Sequence, residues 1–221
     1  MKETTNKKPV FIAITGTIGS GKSAAGEIAE KAGAFVIDTD FLTKELQAIG
    51  GAAAREIKAA FGGEYYAAGF LNRKALAKEV FSNPESLKKL NGIMHPLVFT
   101  AMRERFGRAA KEGFPLIIAL IPLLFEAGKE WTGLFDAVWL VTAAEEDCIK
   151  RIIGRDKCSV CDAKARIAVQ MPDAQKLETA AKLSIPVTVI KNDGGAAKLS
   201  RQVMKALKPY KKSLQSFQKR I

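Results

Sequence analysis

The sequence predicts an α/β fold: a three-layer arrangement with a parallel sheet between helices, carrying a helical insertion and a helical lid. Three observations predict it. Five short apolar segments lack polar alternation, as strands do when both faces of a sheet are covered. Helical patterns alternate with these segments at both ends of the chain, which favours parallel strands joined by right-handed crossovers. A glycine-rich stretch lies between the first strand and the first helix.

The strands are expected at Val10–Thr15, Phe35–Ile37, Leu116–Ile121, Ala137–Val141 and Val187–Ile190. Residues 22–32 read as a helix with Gly33 as its stop signal. A short helix is expected at Phe41–Gln47, and further helices at 53–61, 73–81, 84–91 and 95–111. In the last third, 145–155, 160–170, 173–183 and 195–207 also read as helical. About 75 residues separate the second and third strands, far more than a simple crossover needs. Residues 42–112 are therefore read as a helical subdomain inserted into the sheet. The excursion 145–185, between the fourth and fifth strands, is read as a lid. The whole chain, 1–221, is read as one domain carrying these two additions.

At 221 residues the chain can bury one sizeable core. Hydrophobic residues make up 48% and charged residues 26%, ordinary for a soluble globular protein and unlike a collagen or a coiled coil. The longest apolar run, Phe114 to Phe125, is too short for a bilayer and contains Pro115 and Pro122, so a buried strand is expected there. The polar opening MKETTNKKP does not resemble a signal peptide. Both features point to the cytoplasm and to no membrane partner. The net charge of +12 has two readings besides a nucleic-acid partner. Six basic and no acidic residues stand between Lys205 and Ile221, as in a solvated helix or frayed terminus. A positive field also suits polyphosphate substrates. Nucleic acid is accordingly not expected as the main partner, and the pattern implies no particular oligomeric state.

The most specific signal is Gly16-Thr17-Ile18-Gly19-Ser20-Gly21-Lys22-Ser23, which fits GxxxxGK[ST] at every fixed position and lies between a strand and a helix. Triphosphate oxygens need inward-pointing backbone N–H groups, and glycines permit that close approach. The following helix adds its positive N-terminal end. Lys22 is placed to reach the β- and γ-phosphates of ATP, and the Ser23 hydroxyl to bind Mg²⁺. The alternative, a glycine-rich turn that matches by chance, is opposed by the register of strand, loop and helix.

No NKxD motif is present, which argues against a GTPase. The third strand runs into Pro122-Leu123-Leu124-Phe125-Glu126, without the early acid usual in motor or transport ATPases. The second strand instead ends Val36-Ile37-Asp38-Thr39-Asp40. Ligands of such sheets bind outside the carboxyl ends of the strands. One of Asp38 and Asp40 is a candidate base for an attacking hydroxyl, and the other a candidate for positioning Mg²⁺ or its water. The alternative is that Asp40 caps the following helix. These features narrow the fold class to a P-loop kinase core, with 42–112 as its acceptor-binding part.

The chain resembles dephospho-CoA kinases from Phe11 to about Gly194. The resemblance rests on TGTIGSGKS (Thr15–Ser23), VIDTD (Val36–Asp40), FGG (Phe61–Gly63) and GFLNRKALAKEVF (Gly69–Phe81). It continues through IMHPLV (Ile93–Val98), PLLFEAG (Pro122–Gly128), RIIGR (Arg151–Arg155), ARIAVQMP (Ala165–Pro172) and VIKNDG (Val189–Gly194). It implies that ATP phosphorylates the ribose 3′-hydroxyl of dephospho-CoA, giving CoA and ADP. It also implies a nucleotide-binding core, a helical CoA-binding part and a lid. The catalytic base falls in the DxD segment, on Asp40 by preference and Asp38 otherwise. Asn192 and Gly194 fall where the family places a turn near the adenine.

His95, the only histidine, is read as a helix cap or acceptor contact rather than an acid–base catalyst, because a carboxylate suffices for this chemistry. Phe125 and Glu126 follow a strand end and are candidate acceptor contacts, with Leu123 and Leu124 packed beneath. Arg151 and Arg155 share a helical face and are candidates to close over phosphates. Arg166, Gln170 and Lys176 are further lid candidates. Compared with the family, Thr17 replaces a usual glycine, Lys44 a usual arginine near the acceptor and Cys148 a usual glutamine. Cys158 and Cys161 form a CxxC without the four ligands of a structural zinc site, and are read as ordinary cysteines. Two other readings fit the sequence: a P-loop kinase for another small alcohol or nucleotide, and a weakly catalytic nucleotide-binding protein whose basic tail engages an acidic partner.

Overall fold

The structure is a computed structural model that describes residues 8–48, 50–67 and 70–220. The polar lead-in at 1–7 and Gly69, first residue of the GFLNRKALAKEVF run, lie outside the described residues. The elements in chain order are β1 (Val10–Thr15), α1 (Lys22–Lys31), β2 (Phe35–Asp38), α2 (Thr39–Gln47), α3 (Ala54–Phe61), β3 (Tyr66–Ala67), β4 (Phe70–Leu71), α4 (Arg73–Ser82) and α5 (Pro84–Lys111). They continue with β5 (Leu116–Leu120), α6 (Lys129–Thr132), β6 (Ala137–Thr142), α7 (Glu145–Asp156), α8 (Val160–Ala168), α9 (Asp173–Lys182), β7 (Val187–Lys191), α10 (Gly195–Leu207) and α11 (Lys211–Gln218). The chain divides into two compact units: Thr39–Gly107 is one, and the segments before and after it form the other.

In the larger unit five parallel strands lie in the order β2-β5-β1-β6-β7. The expected α/β class holds, with helices flanking an all-parallel sheet. Every residue of β5 is buried, which explains the missing alternation: side chains pointing to either face meet protein. On one face Ile12, Ile14, Ile118, Leu120, Trp139 and Val141 join Ala25 and Ala29 of α1 and Leu199, Val203 and Leu207 of α10 in one core cluster. Each fully buried aliphatic side chain here contributes about 1.5–3 kcal/mol. Gly26 of α1 lets that helix press onto the sheet, since a Cβ there would lie 2.9 Å from a Leu120 methyl.

Two expectations about the ends of elements change. The basic C-terminal run is not merely a solvated helix. Leu214 and Phe217 of α11 are buried, and the Phe217 ring lies 4.5 Å from Phe114, itself 5.2 Å from Phe35. The cations occupy the outer face and the two apolar residues, three apart, face the core. In the smaller unit, the two helices expected at 84–91 and 95–111 are one, α5, with Pro96 inside it. Proline removes one intrahelical bond at a cost of about 3 kcal/mol. The buried stripe Met94, Val98, Met102 and Phe106, spaced four apart, offsets that loss. The β3–β4 hairpin, two residues per strand, was too short to be expected. Among the described residues no helix is long and apolar enough to cross a membrane.

Candidate active site

The glycine-rich segment leaves the carboxyl end of β1, the central strand, and enters α1. Gly21 precedes α1 at φ 103, in the left-handed region, and no side chain caps the helix. Gly21 itself has no side chain with which to cap α1, and a helix N-terminus of this kind suits an anion. Gly19, at φ 81, is fixed by packing as well: a Cβ would fall 2.6 Å from the Cys148 carbonyl oxygen. The turn therefore fits between the end of β6, the start of α7 and Asn192 because it carries no side chains there.

The loop is held from behind by polar groups. Asn192, buried after β7, donates from Nδ2 to the Ser20 carbonyl at 2.7 Å. Its own backbone N–H donates to Thr142 at 2.8 Å. Arg151 of α7 donates to the carbonyls of Gly19 at 3.0 Å and Ser20 at 3.3 Å, and to that of Asn192 at 3.2 Å. On the loop's open side the Lys22 ammonium donates to the carbonyls of Gly16 at 2.8 Å and Thr17 at 3.1 Å. The Ser23 side chain is exposed in the first turn of α1.

The segment read as a lid also touches the loop. Gln170, after α8, accepts a hydrogen bond from the Ile18 amide at 2.7 Å. Asp173, at the start of α9, accepts from the Thr17 hydroxyl at 3.1 Å and from the Lys176 ammonium at 3.0 Å. Glu126 accepts from the Met171 amide at 3.0 Å. The chain then returns from Lys182 to β7 through four residues, with Ser184 at φ 56 making the turn.

Of the residues expected from sequence, Gly16, Thr17, Ile18, Gly19, Ser20, Gly21, Lys22 and Ser23 form one loop, with Arg151 and Asn192 braced against it. Asp38 ends β2 in register with Leu120, which is also level with Ile14 of β1. Two strand spacings put it roughly 10 Å across the sheet from β1. Gly194, exposed, precedes α10. Arg155 is separated from its helical neighbour Arg151: it forks onto Asp156 at 2.7 and 2.9 Å. Arg166 reaches the same carboxylate at 2.6 Å, and these cations hold Asp156 below the usual carboxylate range, the Arg155 hydrogen bond most of all. Phe125 and Leu124 are buried, whereas Leu123 is exposed, so the accessible apolar residue of that turn is Leu123.

Three expected residues lie in the smaller unit. Asp40 is exposed in the first turn of α2, where its charge suits the helix N-terminus. Lys44 is exposed on α2, and its carbonyl accepts from Arg73 at 3.0 Å. His95 lies within α5 rather than at a helix end, so it is not a cap; its side chain is accessible, yet partial burial lowers its pKa below the usual histidine value. Cys158 and Cys161 flank Ser159, which forms a capping box with Asp162 at the start of α8; all three cysteines are free thiols. Asp173 was not among the expected site residues. Following Pro172 at a helix start, it reads as an ordinary first-turn acid, and nothing nearby in sequence indicates Thr17.

Residues 10–198 match the dephospho-CoA kinase family. A dephospho-CoA kinase from Moorella thermoacetica is 40% identical over 177 residues, covering 78% of this chain and 82% of that protein. A solved Thermus thermophilus structure superposes with a TM-score of 0.77 at 34% identity, covering 92% of this chain and 98% of that one. The solved dephospho-CoA kinase from Campylobacter jejuni gives a TM-score of 0.65 at 27% identity, over 91% and 97% of the two chains. The phosphate loop, the parallel sheet and these matches agree: the chain belongs to the dephospho-CoA kinase family.

Proposed function

We propose that the loop Gly16–Ser23 holds the triphosphate of ATP while a strand-end carboxylate, Asp38 or Asp40, frees the ribose 3′-hydroxyl of dephospho-CoA to attack the γ-phosphorus. The new O–P bond forms as the bond to the β-phosphate oxygen breaks, the hydroxyl proton passes to the carboxylate, and CoA and ADP result. The observation that carries this reading is the loop itself, uncapped at the N-terminus of α1 with Lys22 folded across its mouth. On this reading Lys22 exchanges two backbone carbonyls for phosphate oxygens, and Arg151 and Asn192 keep the loop amides aimed.

Mg²⁺ fits the donors available. The Ser23 hydroxyl and the Asp38 carboxylate are hard oxygen ligands. Among the described residues no three His, Cys, Asp or Glu gather as a metal cage, consistent with an ion held largely by phosphates and water. Bound there, Mg²⁺ would neutralise charge developing on the phosphates. Residues 42–112, including Lys44 and His95, are assigned to acceptor binding, and Phe125 and Glu126 of the larger unit are separate candidates for acceptor contact. Segment 145–185, with Arg151 and Arg155, is assigned as the lid, and Asn192 and Gly194 to the adenine end. The enzyme is placed in the cytoplasm with other small-molecule kinases. Incubation with ATP, Mg²⁺ and either dephospho-CoA or a panel of nucleosides and nucleoside monophosphates tests the reading. CoA and ADP are expected from the first mixture; product from the panel alone would reject the acceptor.

A further inference from the structure

Lys176 is a charged side chain that the nucleotide chemistry above does not use, and it is only 1% exposed. An ammonium in such a place loses its hydration and needs compensating partners. It has two in this structure: the Asp173 carboxylate at 3.0 Å and the Thr17 hydroxyl at 3.4 Å. The same Asp173 oxygen accepts from Thr17 at 3.1 Å, so the three side chains close a triangle.

The location of that triangle gives it a role. Lys22, the cation expected to meet the β- and γ-phosphates, lies against the carbonyls of Gly16 and Thr17. The terminal-phosphate end of the site is therefore the Gly16–Thr17 end of the loop. Thr17 receives Lys22 on its carbonyl and Lys176 on its hydroxyl. Gln170 holds the next amide, Ile18, from the same connection between α8 and α9. The α9 segment thus contacts the loop at the residues where ATP and ADP differ.

We propose that Lys176, set by Asp173 and Thr17, is a nucleotide-specificity residue that favours ATP over ADP by sensing the charge of the terminal phosphate. An ammonium has three protons to donate. Lys176 directs one at Asp173 and another, long, at Thr17. A γ-phosphate at the Thr17 end adds anionic charge close to an ammonium shielded from water, where charges interact more strongly than at a surface. Loss of that phosphate leaves the cation to its Asp173 and Thr17 partners and weakens its hold on the nucleotide, favouring ADP release. Unlike Lys22, which is expected to serve both nucleotides through the β-phosphate, Lys176 acts on one of them.

The inference rests on the loop being the ATP site, and the test separates the two. Calorimetric binding of ADP and of the β,γ-imido analogue of ATP is compared for wild type, Lys22→Ala, Lys176→Met, Lys176→Arg and Thr17→Val, with kcat and KM for ATP measured alongside. Lys176→Met is expected to weaken the ATP analogue at least tenfold and ADP less than twofold. Lys176→Arg should restore part of the difference, and Thr17→Val should shift the preference the same way by a smaller factor. Equal weakening of both nucleotides by Lys176→Met, or no change in either, would overturn the proposal while leaving the loop assignment intact. If Lys176→Met does not fold, Thr17→Val and Lys176→Arg decide: an unchanged ATP-to-ADP preference in both overturns it. Wild-type protein binding neither nucleotide, or Lys22→Ala binding both as wild type does, would remove the loop assignment and the proposal with it.

Discussion

Arg151 donates to the carbonyl oxygen of Gly19 across 132 residues of sequence, at 3.0 Å, and so ties the middle of α7 to the backbone of the phosphate loop. Its other nitrogen spans to Asn192 at 3.2 Å, joining three chain segments through one planar group. Hydrogen bonds from a charged donor contribute roughly 1.5–3 kcal/mol each. Arg151→Ala should therefore raise KM for ATP about tenfold or more, in steady-state kinetics at saturating acceptor. Arg151→Lys should recover little, because an ammonium lacks the fork that reaches several carbonyls at once.

Asn192 makes a different prediction, about stability. Its buried amide satisfies the Ser20 carbonyl at 2.7 Å. Asn192→Ala removes that bond and leaves the Ser20 carbonyl to the longer Arg151 contact at 3.3 Å, at a cost of about 0.5–1.5 kcal/mol. A lower urea midpoint with an unchanged m-value is expected.

The tail can be tested by separating its apolar from its charged residues. Phe217 lies against Phe114 in the core, so Phe217→Ala should destabilise the chain by about 3–5 kcal/mol. Lys211→Ala and Lys212→Ala, at exposed positions of α11, should move the unfolding midpoint little. A tail that is only a solvated polycation would show neither the large effect nor the contrast.

His95 gives a dependence on pH. Burial places its folded pKa below its unfolded value, so the unfolded chain takes up the proton first on acidification. The stability this group contributes is fully present above the usual histidine value of about 6.5 and falls as pH drops through the folded value. Urea unfolding at pH 7.5 and 5.5 should show a smaller loss in His95→Gln than in wild type. Equal losses in the two would contradict the assignment.

The core strands were legible because apolar runs of three to six residues with no polar alternation have few alternatives, and β1 spans the expected residues at both ends. The phosphate loop was legible because its glycines, lysine and serine stand in one short segment. What escaped the sequence were relationships between distant residues. Nothing near Thr17 announces Asp173, which lies 156 residues away. The role of Arg151 as a brace depends on carbonyl oxygens, which every residue carries and no motif marks. Around α11, six cations between Lys205 and Ile221 obscured an apolar pair three residues apart, and in α5 a proline looked like a boundary where buried packing carries the helix through it.

On the proposed reading, Asp38 or Asp40 accepts the proton of the attacking hydroxyl. Single-turnover CoA formation by Asp38→Asn and Asp40→Asn, with ATP affinity measured on the same preparations, tests it most directly. At least one variant should lose 100-fold or more in rate, on the order expected for a general base, while binding ATP as wild type does. Wild-type rates in both would contradict the claim.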